Sequence, residues 1–225
     1  GSGSIRLSTP DGSILFSGDL GRATHPVLRQ REIPEGADLL LVESTYGDRE
    51  HPDPVGAAHE AFAEAIRSTV GLGGSILIPA FAVDRTEVVL LALDEMLREG
   101  RIPDVPVFVD SPMALSSLEI YRARSQADEL CPRARGLRLS HLDLHEVRSV
   151  NESKALNTFG RSAIIISASG MASGGRVLHH LERILPGENN CVILTGYQAI
   201  GTRGRSLLDG ATSVKMHGME VAVRC

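Results

Sequence analysis

Three features of the sequence predict an α/β fold, a mostly parallel β-sheet with helices on both faces. Short aliphatic runs, among them Ser75-Ile76-Leu77-Ile78, Val107-Phe108-Val109, Ile164-Ile165-Ile166 and Val192-Ile193-Leu194, lack polar alternation, the mark of strands buried on both sides. Helical stripes with short links separate them, which is the rhythm of β-α units. Aromatic residues are 4% of the chain and Trp is absent, so the core must be built from Leu, Ile, Val and Ala.

The elements follow in order. Ile5-Arg6-Leu7 and Ile14-Leu15-Phe16 flank the turn Pro10-Asp11-Gly12, so antiparallel strands open the chain. Leu39-Leu40-Leu41-Val42 reads as a further buried strand. From there helices alternate with strands: one near Val55 to Val70, one from about Arg85 to Arg98, one opened by Ser111-Pro112, and one from about Gly174 to Leu185. Val89, Leu90, Leu93 and Leu97 form the second helix's apolar stripe, and Asp84 with Glu87 predicts a capping box at its start. Residues from about Arg133 to Asn157 are polar and read as an irregular surface excursion.

Length and charge bound the function. The 225 residues suffice for one large domain or two modest ones, and 23% charged residues with a mean hydropathy of +0.01 describe a soluble globular chain. A net charge of -5 gives no global attraction for nucleic acid, although a local basic patch stays compatible with it. Cys131, Cys191 and Cys225 are odd in number and lack metal-type spacing, which speaks against a disulfide framework and predicts a reducing, cytoplasmic setting. No stretch is apolar for long enough to cross a bilayer, and no charged-then-apolar leader opens the chain, so no membrane association is expected. The chain stops at Cys225 inside an alternating run from Val214 to Arg224, so an excerpt of a longer protein is expected.

Two acids carry the strongest chemical signal. Asp19, in Phe16-Ser17-Gly18-Asp19-Leu20-Gly21-Arg22, and Glu43, in Leu41-Val42-Glu43-Ser44-Thr45-Tyr46-Gly47, each close an apolar run that breaks into a glycine-bearing loop. Each is therefore expected at a strand's carboxyl end, where α/β proteins place their sites. A buried carboxylate there holds a metal, a cation or a proton, and a capping or salt-bridged acid is the alternative. Ser167-Ala168-Ser169-Gly170-Met171-Ala172-Ser173-Gly174-Gly175-Arg176 joins a strand to a helix through small residues, which suits backbone amides facing an anion or a tight crossover in which glycine serves packing. Arg85, Arg176, Arg203 and Arg205 sit in loops leaving one sheet edge and could form a basic rim, or merely solvate helix starts. His141, Asp143 and His145 have a formally ligand-like spacing but no second cluster, His179 and His180 point about 100° apart on a helix, and His217 reads as structural. His25, His51 and His59 have no partner that sequence identifies.

Taken in order, the Asp19 and Glu43 segments, Pro79-Ala80-Phe81-Ala82-Val83, Asp110-Ser111-Pro112-Met113-Ala114, Ser169-Gly170-Met171 with Gly174-Gly175-Arg176, and Gly196-Tyr197-Gln198 resemble the β-CASP branch of the metallo-β-lactamase-fold nucleases, in particular the cleavage-and-polyadenylation endonuclease type. The resemblance implies a β-CASP unit over residues 48–211, inserted between two parts of an αββα lactamase fold at residues 1–47 and 212–225. It implies a hydrolase that cuts single-stranded RNA with two zinc ions, Asp19 matching the bridging metal ligand and Glu43 the acid that pairs with a C-terminal histidine. Ser169, Gly170, Gly174, Gly175, Arg176 and Arg85 would face the RNA backbone. The family's His-x-His-x-Asp-His run is absent from this sequence, so both ends are expected to be truncated and the fragment itself inactive. A non-catalytic RNA-binding scaffold is the alternative function, a small nucleotide-binding α/β domain a third, and a homodimer is left open.

Overall fold

A computed structural model describes residues 2–21, 24–48, 55–123 and 128–225, with the side chains of 55–58 excepted; Arg22 and His51 lie outside the described residues. Strands β1 (Ile5–Thr9) and β2 (Gly12–Phe16) form the expected hairpin, and β3 (Leu39–Leu41) pairs parallel to β2, Phe16 opposite Leu41. Helix α1 (Val55–Gly71) leads into β4 (Ile76–Pro79), α2 (Arg85–Arg98), β5 (Val107–Asp110), α3 (Pro112–Arg122), β6 (Leu144–Glu146) and α4 (Val150–Ala155). Strand β7 (Ile164–Ser167), α5 (Val177–Ile184), β8 (Cys191–Val192), α6 (Arg203–Leu208) and the hairpin β9 (Ser213–Met216) with β10 (Met219–Ala222) complete the chain.

Five strands make one parallel sheet in the order β6-β5-β7-β4-β8. Their side chains alternate between two apolar layers. Ile76, Ile78, Val107, Val109, Ile164 and Ile166 pack with Ile66 of α1, Leu90 and Leu93 of α2, and Leu115 and Leu118 of α3. Leu77, Phe108 and Ile165 pack on the other side with Val177, Leu178 and Leu181 of α5 and with Val214, Met216 and Val221 of the last hairpin. Burial on both faces is why these strands are continuous aliphatic runs. No described helix is long and apolar enough to cross a membrane.

Three expectations are corrected. Strand β3 is exposed along its whole length, as is β1, because no described residue covers that side of the three-stranded sheet. The polar excursion contains the edge strand β6, which pairs parallel to β5, and the helix α4. The capping box belongs to α4, where the Ser149 side chain accepts from Glu152 N and the Glu152 carboxylate accepts from Ser149 N. At α2, Asp84 makes no side-chain cap and sits instead in a left-handed conformation (φ 43°), 3.1 Å from His25 Nε2. His25 Nδ1 accepts from Val27 N and Leu28 N, so the ring fastens the segment before β3 to the start of α2.

Glu87, the other half of the expected cap, is fully buried with neither carboxylate oxygen hydrogen-bonded among the described residues. Burial is the main cause that pushes its carboxyl above the ordinary 4.5, outweighing the opposing pulls of nearby Ser117 and its own backbone amide, and the charge of Asp84 adds a smaller push upward. A raised carboxyl favours the folded state while protonated and costs stability as pH climbs past 4.5 through the folded value. Glu87→Gln is therefore expected to stabilise the fold at pH 8 by about 1–3 kcal/mol and to flatten the decline that sets in above 4.5. Urea titrations at about pH 4.5 and at pH 8 check this; a mutant less stable than wild type at pH 8 contradicts it.

Candidate active site

Parallel pairing of β2 with β3 brings their carboxyl ends to one edge, and the two acidic loops meet there. The buried Ser17 accepts from Glu43 N through its Oγ (3.0 Å), while Glu43 Oε1 accepts from Leu20 N (3.3 Å) and Oε2 from Thr45 N (2.9 Å). Hydrogen bonds from Thr45, then from Leu20, hold the Glu43 carboxyl below its ordinary 4.5, so it is ionised at neutral pH. Asp19 donates its backbone N–H to Ser2 Oγ (2.7 Å), and its carboxylate is exposed with no hydrogen bond or ion pair among the described residues. Both acids were expected as buried strand ends; the structure leaves Glu43 half-buried and Asp19 open to solvent.

The loops after β4, β7 and β8 interlock at the carboxyl edge of the five-stranded sheet. Ala80 N donates to Ser167 O (3.0 Å), and Gln198 Nε2 donates to Gly170 O (3.0 Å) and Gly196 O (3.1 Å). The Glu43 loop reaches this edge through Tyr46, whose ring packs edge-on against Tyr197 at 5.4 Å between centroids. The Glu43 loop thus touches the loop after β8, which Gln198 ties to Gly170 of the glycine-rich loop.

At Gly170 the packing role describes what is seen. The residue is buried, and an added Cβ would lie 2.8 Å from Phe81 N. Gly175 takes φ 86°, turning the chain so that Val177 N donates to Ala168 O, Leu178 N to Gly175 O and His179 N to Arg176 O. The opening amides of α5 are committed to these carbonyls, so the expected anion cradle of free helix N–H groups is not formed there. Ser169 Oγ accepts from Ser173 N, and Gly174 is half-buried at the loop's rim.

The arginine rim resolves into unlike parts. Arg176, expected toward a phosphate, instead directs Nη1 onto Asp110 Oδ1 (2.6 Å), with weaker bonds to Val147 O and Arg148 O. Asp110, the last residue of β5, is fully buried and also takes His180 Nε2 (2.7 Å) and Ser153 Oγ (2.5 Å) on Oδ2. An internal carboxylate of this kind must gather counter-charge, which is why Arg176 is drawn inward. Arg203 donates to Lys215 O and Ser173 O, and Arg205 pairs with Asp209. Arg85, half-buried at the start of α2, makes no ion pair or hydrogen bond among the described residues and alone of the four remains uncommitted. The histidines also separate: His141 bonds Asp94, His145 bonds Asp143 and stacks on Phe108, and His180 faces Asp110 while His179 is exposed. Sequence reasoning missed Asp110 as a hub, although it shares with Asp19 and Glu43 the signal of an acid closing an apolar strand.

Fold and site define an α/β protein whose acidic and glycine-rich loops converge at the carboxyl edges of its sheets. The Beta-Casp domain profile matches residues 86–207, and the chain belongs to the β-CASP family. Ribonuclease TTHA0252 of Thermus thermophilus is 35% identical over 218 residues, which cover 94% of this chain and 49% of that protein. The RNase J-like protein of Methanocaldococcus jannaschii is 32% identical over 227 residues, covering 100% and 52%. Endoribonuclease YSH1 of Candida glabrata is 29% identical over 222 residues, covering 94% and 28%. The chain thus spans about half the length of the first two relatives.

Proposed function

We propose that the chain is the central part of an RNA-processing ribonuclease that hydrolyses phosphodiester bonds of single-stranded RNA, with zinc as its cofactor. Residues 48–211 are then the β-CASP unit, and residues 1–47 and 212–225 are parts of the lactamase-type fold around it. The junction of the Asp19 and Glu43 loops carries this reading: an open carboxylate lies one residue from an amide bonded to a second, ionised carboxylate. The printed names of the relatives, ribonuclease and endoribonuclease, supply the reaction class.

Asp19 fits one zinc ligand, a hard oxygen donor without a competing partner, but a single carboxylate does not retain two ions. Among the described residues the one group of three metal-type donors lies elsewhere, at His179, Glu182 and His217. Bound zinc would supply Lewis-acid stabilisation and an acidified water. The chain's own groups then have separate tasks: Asp19 offers an oxygen donor, and ionised Glu43 accepts a hydrogen bond from the group that faces it. Arg85 neutralises a backbone phosphate, and Ser169, Gly174 and Gly175 border the strand's path. Gly170 and Arg176 act indirectly, by packing the loop and anchoring it to Asp110.

The test is cleavage of single-stranded RNA by the gene product that contains this chain, and by the 225-residue chain alone. The former is expected to cleave and to stop on addition of a chelator; the latter is expected to be inactive. Metal-independent cleavage by the chain alone would refute the reading, and RNA binding by the gene product without cleavage under any divalent ion would favour a scaffold. Arg85→Ala is expected to weaken binding evenly across RNA sequences and to reduce the slope of log K against log salt by about 0.7, one single-strand phosphate contact.

A further inference from the structure

We propose that His179, Glu182 and His217 form a binding site for a divalent ion of the zinc class, separate from the acidic loops, that fastens the β9–β10 hairpin to α5. The donor atoms of all three lie within 4.8 Å of one another. Both imidazoles direct Nδ1 at one carboxylate, His217 onto Oε1 at 2.6 Å and His179 toward Oε2 at 3.9 Å. The two rings stack at 4.6 Å between centroids with 23° between planes.

A hydrogen-bonded pair needs one imidazole for that carboxylate. A second, stacked on the first and aimed at the other oxygen, completes a two-nitrogen, one-oxygen donor set of the kind that suits zinc, cobalt or nickel. Tetrahedral ligation at about 2.0–2.1 Å places donors about 3.3 Å apart. Exposed His179 closes the remaining gap by side-chain rotation, since it projects from the free face of α5 while its neighbour His180 is buried on Asp110. A fourth position remains for water.

Backbone geometry supports the third donor. His217 occupies the two-residue turn between β9 and β10 with φ 46°, a left-handed conformation that histidine tolerates better than most side chains. That turn puts its ring over the helix rather than along the strand. Beneath it, Val214, Met216 and Val221 already pack against Val177, Leu178 and Leu181, so the ion would close the rim of an existing apolar contact. Occupancy also reaches the glycine-rich loop, because Arg203 joins Lys215 O (2.6 Å) to Ser173 O (3.3 Å).

The inference does not rest on the nuclease reading and is tested apart from it. Cobalt(II) chloride, followed by visible absorption, and zinc chloride, followed by calorimetry, are titrated into the full chain and into His217→Asn, His179→Ala and Asp19→Asn. Asparagine keeps the left-handed turn accessible, and His179 is exposed on a helix, so both variants should fold, with far-UV circular dichroism as the check. The expected result is one ion per chain, affinity reduced roughly 100-fold in each histidine variant and unchanged in Asp19→Asn, with slower hydrogen exchange of β9 and β10 amides on zinc addition in wild type and Asp19→Asn and not in the histidine variants. No uptake by wild type, undiminished binding in either histidine variant, or loss confined to Asp19→Asn overturns the site; the last of these would instead assign the ion to the acidic loops.

Discussion

Replacing Asp110 with alanine is expected to lower folding stability by about 3–5 kcal/mol, the range for breaking a buried ion pair from one side. The carboxylate is fully buried at the end of a central strand and is held by Arg176, His180 and Ser153. Removing it leaves a guanidinium and an imidazole facing each other in a site built for an anion. Asp110→Asn keeps the shape and discards the charge, so most of the loss should persist there. The pH dependence gives a second readout. Burial pushes the Asp110 carboxyl up, but the bonds from His180, Ser153 and Arg176 outweigh it and hold the group below 3.8. A depressed carboxyl stabilises the fold in full above its unfolded value, and that contribution fades as pH falls below 3.8 through the lower folded value. Wild type and Asp110→Asn should therefore differ most at neutral pH and converge in strong acid. Urea denaturation at pH values of about 7 and 3 measures both; a neutral-pH difference under about 1 kcal/mol would mean that the cluster is not a keystone.

Because α4, α5 and the glycine-rich loop all hang on Asp110, its loss should also loosen the candidate site. Little of this was legible beforehand. Ile76-Leu77-Ile78 and Ile164-Ile165-Ile166 could be assigned because burial on both faces writes itself into a continuous aliphatic run. The meeting of Asp19 and Glu43 was legible for a related reason, since two strands that each end in an acid present both at one edge once they pair in parallel. Partners of Asp110 lie 43 to 70 residues away, and no local pattern reports a bond over that span.

Where local rules misled, tertiary contacts had overridden them. Asp84 and Glu87 have cap spacing, yet His25 takes the first and the core takes the second, while an equivalent pair at Ser149 and Glu152 forms its box on the surface without competition. Strand β6 was hidden because a short edge strand needs only one apolar neighbour and tolerates His145 and Glu146 in its register. His179, Glu182 and His217 show the same limit: helix spacing pairs the first two, but only the turn of the last hairpin delivers the third.

Glu43→Gln in the gene product is expected to reduce RNA cleavage by roughly 10²–10⁴-fold, the range for a group that handles protons or hydrogen bonds in the transition state. The carboxylate uses both oxygens on backbone donors, Leu20 N and Thr45 N. A glutamine offers one oxygen and one NH2, so whichever way it turns a donor faces a donor, and either Leu20 N, the tie to the loop that carries Asp19, or Thr45 N loses its acceptor. Folding should change little, because the group is only half-buried and lies outside both core layers. Steady-state cleavage of a single-stranded RNA, read beside circular dichroism of the same variant, separates the two effects. The Glu43 carboxyl titrates below 4.5, so any acid limb in the wild-type rate profile near neutral pH belongs to another group and should survive in the residual activity of the variant. A variant that keeps more than about a tenth of the wild-type kcat/KM would remove Glu43 from the chemistry and leave Asp19 as the sole carboxylate of the junction with a proposed part in it.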